Sequence, residues 1–322
     1  MTDAAKVHII VAEGFADAVR ERLGEDAARV ELLRTAADGS SEADLSRADG
    51  LLRAGFDGSG FERVLAAATE LRWLHTMSAG VDGFELDPLR ERGIVLTNSA
   101  GVHGVPIAEW VMYALLAIVK RGPQQLQAQR ERRWDDSERS DELTGKTLTI
   151  LGAGGIGGEI ARRAAAFDMR LWGVNRSGRS LPNFERIESE AWRELLPETD
   201  FLVIATPLTS ATRNMIGAHE LGLLRPHAWL INIARGAIVD EAALIAALQN
   251  KRLGGAALDT FEQEPLPSDS PLWSLPNVIV SPHHSGSSPH TEGRVVALFV
   301  DNLRRFVRGE QLLNVVDYGE QY

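Results

Sequence analysis

The most constraining segment of this chain is a short apolar run, Thr147–Leu151, that leads directly into Gly152, Ala153, Gly154, Gly155, Ile156 and Gly157 and then into a helical stretch over residues 158–166. A G-x-G-x-x-G hexapeptide alone says little. Between a strand and a helix it has a mechanical reading. The first glycine permits a tight turn, the second lets backbone approach a pyrophosphate, and the third lets helix and strand pack closely. Amides at the start of the helix then face the phosphates. The segment therefore predicts a dinucleotide-binding βαβ unit, with Gly152, Gly154, Gly155, Ile156 and Gly157 as cofactor contacts.

Short apolar runs alternate with helical stretches around this loop. Strands are predicted at 147–151, 169–174, 200–205, 228–233, 255–258 and 277–281, each nearly continuous in apolar residues, as strands covered on both faces should be. A second alternating set precedes it, at 7–11, 30–33, 50–53, 73–76 and 94–96, without a phosphate-loop signature. The chain of 322 residues is longer than one core usually supports. The expected fold is α/β, with two doubly wound parallel-sheet domains. Residues 288–308 read as one long helix that could return to the first domain and make it discontinuous.

Composition narrows the function. Hydrophobic residues at 44% and charged residues at 25% match ordinary globular usage. The most apolar stretch, 105–119, contains Glu109 and is too short to span a bilayer, so it predicts a buried helix. Met1 to Val11 carries no export signal, and cytoplasmic location is the expectation. Cysteine is absent, which removes thiolate catalysis and zinc-thiolate sites, and no metal site is predicted. A net charge of -11 argues against nucleic acid as a partner. Arg130, Arg132 and Arg133 read as a solvated helix face.

Which dinucleotide fits depends on the tip of the strand after the glycine loop. A carboxylate there would accept the ribose hydroxyls of NAD and repel an added phosphate. This tip reads Val174, Asn175, Arg176, Ser177, Gly178, Arg179, with no acid. Asn175 and Ser177 can hydrogen-bond an oxyanion, and Arg176 and Arg179 can neutralise one. NADP is therefore the preferred cofactor and NAD the alternative.

Ligands of a doubly wound sheet lie beyond the carboxyl ends of its strands. Arg235, Asp259 and His283 each follow such an end, and Glu264 lies on the loop after Asp259. Reduction of a 2-keto acid needs a fixed cation for the carboxylate and a proton donor for the carbonyl oxygen. Arginine's planar fork matches a carboxylate. Histidine suits the proton, and a neighbouring carboxylate orients it and favours its charged form.

At these residues the sequence resembles the D-isomer-specific 2-hydroxyacid dehydrogenases, which include glyoxylate/hydroxypyruvate reductases and phosphoglycerate dehydrogenase. The similarity runs from about Leu71 to Asn314. Ser78, Ala79, Gly80, Val81 and Asp82 resemble the family's substrate loop, and Leu143 to Thr147 its lead into the cofactor strand. NIARGAIVD at 232–240, GAALDTFEQEPL at 255–266 and Ser281, Pro282, His283 resemble the segments that carry its catalytic groups. The resemblance implies that Arg235 holds the substrate carboxylate and carbonyl oxygen, that His283 transfers the proton, and that Glu264 pairs with His283. It implies that Asp259 meets the nicotinamide carboxamide, that the amides of Ala79 and Gly80 help hold the carboxylate, and that Thr206, Pro207 and Ala234 line the cofactor. It also implies a Rossmann cofactor domain, 99–287, inserted in a flavodoxin-like substrate domain formed by 1–98 and 288–322, the two closing over a cleft.

The same resemblance implies a homodimer through helices within residues 101–142. Trp134 lies where some short-substrate reductases place a tryptophan that reaches the partner's active site, with simple dimer packing as its other reading. His284 replaces a more usual apolar residue and is read as site lining. Arg53, after a first-domain strand, is expected in a surface salt bridge, with an anionic substrate tail as the second reading. The expected reaction is hydride transfer between NAD(P)H and a small 2-keto acid, glyoxylate or hydroxypyruvate first. Phosphoglycerate or another D-2-hydroxy acid is an alternative substrate. Formate dehydrogenase shares the fold but pairs its histidine with glutamine, and a dinucleotide-sensing corepressor is the non-enzyme alternative.

Overall fold

The computed structural model describes residues 6–319. Residues 1–5, which belong to the segment read for an export signal, lie outside them. The strands are β1 (Val7–Ala12), β2 (Val30–Thr35), β3 (Gly50–Arg53), β4 (Trp73–Thr76), β5 (Val95–Thr97), β6 (Thr147–Leu151), β7 (Arg170–Val174), β8 (Arg186–Glu188), β9 (Phe201–Ile204), β10 (Trp229–Asn232), β11 (Gly255–Leu258) and β12 (Val278–Val280). The helices are α1 (Glu13–Leu23), α2 (Gly58–Ala67), α3 (Leu86–Glu91), α4 (Gly104–Val119), α5 (Gly122–Arg130), α6 (Gly155–Ala164), α7 (Ala218–Leu223), α8 (Glu241–Gln249) and α9 (Thr291–Arg308). The chain divides into two compact units, the first formed by residues 1–102 and 288–322, the second by 103–287.

The first unit holds a five-stranded parallel sheet in the order β2-β1-β3-β4-β5, the flavodoxin-like arrangement. Its strands are buried on both faces because apolar clusters cover both. Ile9, Val11, Leu52 and Trp73 pack on α1 and α9 on one side, and Ile10, Leu51, Leu74 and Leu96 pack with Val64 and Leu89 on the other. The fully buried Trp73 ring stacks on Phe299 at 5.1 Å and on Phe306 at 5.3 Å, both from α9. Truncating such a ring to alanine costs about 3–5 kcal/mol. Local signals set the helix starts: Asp57 caps α2 by accepting from the Gly60 amide.

The second unit holds a seven-stranded parallel sheet, β12-β11-β10-β9-β6-β7-β8. Renumbered within the unit this is 3-2-1-4-5-6-7, the Rossmann order, with its switch point between β6 and β9. The sequence predicts six strands here, and the extra one is β8. It escapes periodicity because it is short, half-buried and paired only with β7. The predicted buried helix is α4. It is covered on one side, where Ile107, Ala108, Val111 and Leu115 join the core, whereas Tyr113 stays 57% exposed. The predicted basic helix face is not one: Arg130 ends α5, and Arg132 and Arg133 follow it on an exposed turn, where Arg133 pairs with Glu131 and Asp135. No described helix is long and apolar enough to cross a membrane.

Candidate active site

The glycine loop shows why its residues are small. Gly152 has φ +99°, and a Cβ there would stand 2.6 Å from the Ala205 carbonyl carbon and the Thr206 nitrogen. Gly157 is equally closed, because its Cβ would strike the Gly152 carbonyl. Gly154 faces open space. A bulky group can therefore approach at Gly154 while its neighbours hold the turn shut, which is the cradle a pyrophosphate needs. α6 starts at Gly155, so the amides of Gly155, Ile156 and Gly157 form its first turn and point its positive end outward. Thr206 and Pro207 follow β9, on the far side of the switch point from β7, and the Pro207 carbonyl accepts from Thr212 Oγ1 at 2.7 Å. A dinucleotide fits these residues.

The tip of β7 adjoins this loop, since the amides of Gly152 and Ala153 both donate to the Val174 carbonyl. Asn175 and Ser177 organise the tip internally. Asn175 Nδ2 donates to the Arg179 carbonyl at 2.9 Å, and Ser177 Oγ donates to Asn175 Oδ1 at 3.1 Å. Their side chains thus shape a turn, with the exposed side chains of Arg176 and Arg179 beside it.

The chemistry-bearing residues Arg235, Asp259 and His283 follow the carboxyl ends of the consecutive strands β10, β11 and β12. Asn232, the last residue of β10 and fully buried, braces the arginine segment: Oδ1 accepts from the Ala234 amide at 3.1 Å and Nδ2 donates to the Arg235 carbonyl at 2.9 Å. Arg235 Nη1 donates to the Ala234 carbonyl at 2.8 Å. Gly236 then packs so tightly on the Phe261–Glu262 backbone that no side chain could replace its hydrogen. This brings the arginine segment against the loop that bears Glu264. Glu264 Oε1 accepts from the Phe261 amide at 3.0 Å, and Oε2 accepts from His283 Nδ1 at 2.7 Å. An ionised carboxylate only accepts, so the proton between them belongs to Nδ1, and Nε2 is left as the reactive nitrogen.

His283 adopts φ +55°, a backbone conformation that side-chain-bearing residues rarely take. Asp259 explains how it is held. Its carboxylate is fully buried and accepts from Ser281 Oγ at 2.7 Å, the His284 amide at 2.8 Å and the Ser285 amide at 3.0 Å. Both sides of His283 are clamped to one carboxylate. The resemblance gives Asp259 a contact with the nicotinamide; the geometry adds this structural task, which uses most of its acceptor capacity. His284, read as lining, is tied to the clamp by its backbone.

In the first unit, Ala79 and Gly80 lie on the loop after β4, and Arg53 ends β3 in register with Thr76 of β4. The expected salt bridge of Arg53 is not found: among the described residues no carboxylate pairs with it. Its guanidinium instead lies between two rings, 4.4 Å from the centre of Phe61 and 4.0 Å from that of Phe84. Burial pulls its pKa below the ordinary value, yet a guanidinium remains charged at neutral pH. Trp134 in the second unit is 92% exposed.

Several residues take supporting roles that the sequence does not give them: Asn232, the Phe261 amide and, in the first unit, Ser78 and Asn98. A buried asparagine closing a strand just before an arginine is the one signal that could have marked Asn232. The others act through partners that only the folded backbone brings near.

Known proteins are similar to this chain in sequence and in fold. The family described as D-isomer specific 2-hydroxyacid dehydrogenase, NAD binding domain, matches residues 112–285. Glyoxylate/hydroxypyruvate reductase B of Pectobacterium carotovorum subsp. carotovorum (strain PC1) is 35% identical over 327 residues, covering 97% of this chain and 98% of that protein. D-3-phosphoglycerate dehydrogenase of Methanocaldococcus jannaschii is 32% identical over 263 residues, 79% of this chain, and the chain spans about half (49%) of that longer relative. The solved structure of a D-isomer specific 2-hydroxyacid dehydrogenase from Xanthobacter autotrophicus Py2, in complex with NADPH and MES, has a TM-score of 0.85 at 29% identity, over 99% of this chain and 100% of that one. On the glycine cradle, the clamped histidine–glutamate pair and these matches, the chain belongs to the D-isomer-specific 2-hydroxyacid dehydrogenases and is a nicotinamide-dependent oxidoreductase.

Proposed function

We propose that this protein reduces a small 2-keto acid of the glyoxylate or hydroxypyruvate type, with NADPH as its preferred cofactor. The observation that carries the reading is the 2.7 Å contact between His283 Nδ1 and Glu264 Oε2, made on a Rossmann unit beside a braced arginine. It supports proton chemistry, which a formate dehydrogenase does not need. The cofactor, when bound, supplies a hydride to the C2 carbon. Arg235 holds the substrate carboxylate and polarises the carbonyl, because its backbone is fixed by Asn232 and its positive charge opposes the charge that builds on oxygen. His283 Nε2 gives its proton to that oxygen, and Glu264, bonded to Nδ1, keeps the ring aimed. General acid catalysis of this kind contributes about 10²- to 10⁴-fold. The amides of Ala79 and Gly80 assist in holding the carboxylate, and Arg53, without an acidic partner, suits a polar or anionic group elsewhere on the substrate.

The preference for NADPH rests on the acid-free tip with Arg176 and Arg179, and the reductase relatives support the small substrate. The exposed apolar residues Tyr113, Leu126 and Trp134, at 57%, 55% and 92%, support a homodimer through this part of the second unit. A panel of 2-keto acids assayed with NADPH and NADH tests the substrate and cofactor together. Preference for a bulky branched or aromatic acid, or for NADH, would refute the finer assignment. His283→Ala should remove most turnover and leave NADPH binding nearly intact; equal loss of both would mean a structural role, and binding without turnover in the wild type would favour a dinucleotide sensor.

A further inference from the structure

The loop that follows β4 in the first unit has a regularity its sequence does not advertise. Its successive carbonyls are each tied down. The Ser78 carbonyl accepts from the Ser99 amide at 3.0 Å, the Ala79 carbonyl from Asn98 Nδ2 at 2.8 Å, and the Gly80 carbonyl from Ser78 Oγ at 2.7 Å. In a trans peptide the carbonyl and the following N–H point in opposite directions. Fixing these oxygens therefore fixes the N–H groups of Ala79, Gly80 and Val81 on the opposite side. None of those amides donates to a described protein group, so they form a row of oriented donors at a strand end, an arrangement suited to an anion.

We propose that Asn98 and Ser78 are positioning residues, which hold the Ala79–Gly80 and Gly80–Val81 peptides so that the amides of Gly80 and Val81 are presented to the substrate carboxylate. The inference rests on the reading that this loop binds the carboxylate. It adds Val81 to the donors and assigns the side chains that aim them. Both side chains are themselves held. Asn98 Oδ1 accepts from the Ala100 amide at 3.0 Å, and Ser78 Oγ lies 3.1 Å from Thr76 Oγ1. Neither has a proton-transfer or cofactor role, so their loss should weaken substrate binding without altering the chemistry or the pH profile.

Ser78→Ala deletes one tie with no change of bulk, and Ser78→Thr restores the hydroxyl. Asn98→Asp keeps the acceptor for Ala100 and replaces the donor with an oxygen that repels the Ala79 carbonyl. The expected result is a rise in KM for glyoxylate of roughly 2- to 10-fold for Ser78→Ala, the range of one hydrogen bond. Asn98→Asp should raise KM by at least as much, kcat and NADPH affinity should stay near wild type, and Ser78→Thr should recover most of the loss. In the wild type, oxamate should move the amide NMR signals of Gly80 and Val81. Unchanged KM in both Ser78→Ala and Asn98→Asp would overturn the proposal, as would kcat falling in step with folded protein. Arg235→Gln separates that failure from failure of the carboxylate reading. If Arg235→Gln raises KM strongly while Ser78→Ala and Asn98→Asp do not, only the positioning role falls; if it too leaves KM unchanged, both fall.

Discussion

The carboxylate of Asp259 should be worth more to His283 than to the stability of the strand that carries it. Asp259→Asn preserves shape and replaces one acceptor oxygen with a donor. Its amide can turn to keep Ser281 Oγ and the His284 amide on oxygen, which leaves its NH₂ facing the Ser285 N–H donor to donor. Loss of a bond to a charged acceptor, with weakening of the remaining ones, costs about 2–4 kcal/mol. Release of His283 from φ +55° returns about 1–2 kcal/mol, the ordinary cost of that conformation. A net destabilisation of about 0–3 kcal/mol is expected in urea unfolding. Catalysis should suffer more, because a displacement of about 1 Å at a reacting group can cost 10²-fold. Steady-state assays should therefore show kcat down about 100-fold, while fluorescence titration shows NADPH affinity within about tenfold of wild type. An Asp259→Asn enzyme with wild-type kcat and stability, and weakened cofactor binding alone, would show that the clamp does not hold the histidine and would refute the reasoning.

Two further expectations concern buried polar groups. Burial depresses the pKa of His75 from 6.5 to about 4. The unfolded chain takes up this proton near pH 6.5 and the folded chain only near pH 4, so stability is full above pH 6.5 and declines as pH falls toward 4. Between pH 7 and pH 5 the loss is about 2 kcal/mol, and His75→Gln should remove that part of the dependence in urea titrations at the two pH values; an unchanged slope would mean that His75 does not carry it. The Thr260 hydroxyl is buried with no hydrogen-bond partner among the described residues. Thr260→Val should raise stability by about 1 kcal/mol, seen as a higher thermal midpoint, and a lower midpoint would reveal an acceptor for that hydroxyl.

The fold was legible where one stretch of sequence answers to one local demand. Burial on both faces gives β9 and β11 their unbroken apolar runs, and Gly152 and Gly157 mark positions where neighbouring backbone leaves no room for a Cβ. Arg235, Asp259 and His283 could be singled out because topology places strand ends at the ligand side of a parallel sheet. What stayed hidden depends on partners distant in the chain. β8 exists because β7 offers it an edge, and Arg53 avoids an acid because Phe61 and Phe84 close around it. Asn175 looks like a phosphate ligand by residue type, but the turn it closes can be seen only in three dimensions.

The division of the chain also sets an order of assembly on the ribosome. The second unit is one uninterrupted segment, 103–287, and can fold as soon as that segment has emerged. The first unit begins earlier but cannot finish. Trp73 waits for Phe299 and Phe306 to cover it, and these are synthesised only after the whole of the second unit. A nascent chain stalled before α9 would therefore carry a completed second unit and, in the first, a sheet with a naked tryptophan, a species for chaperones to shield until α9 emerges.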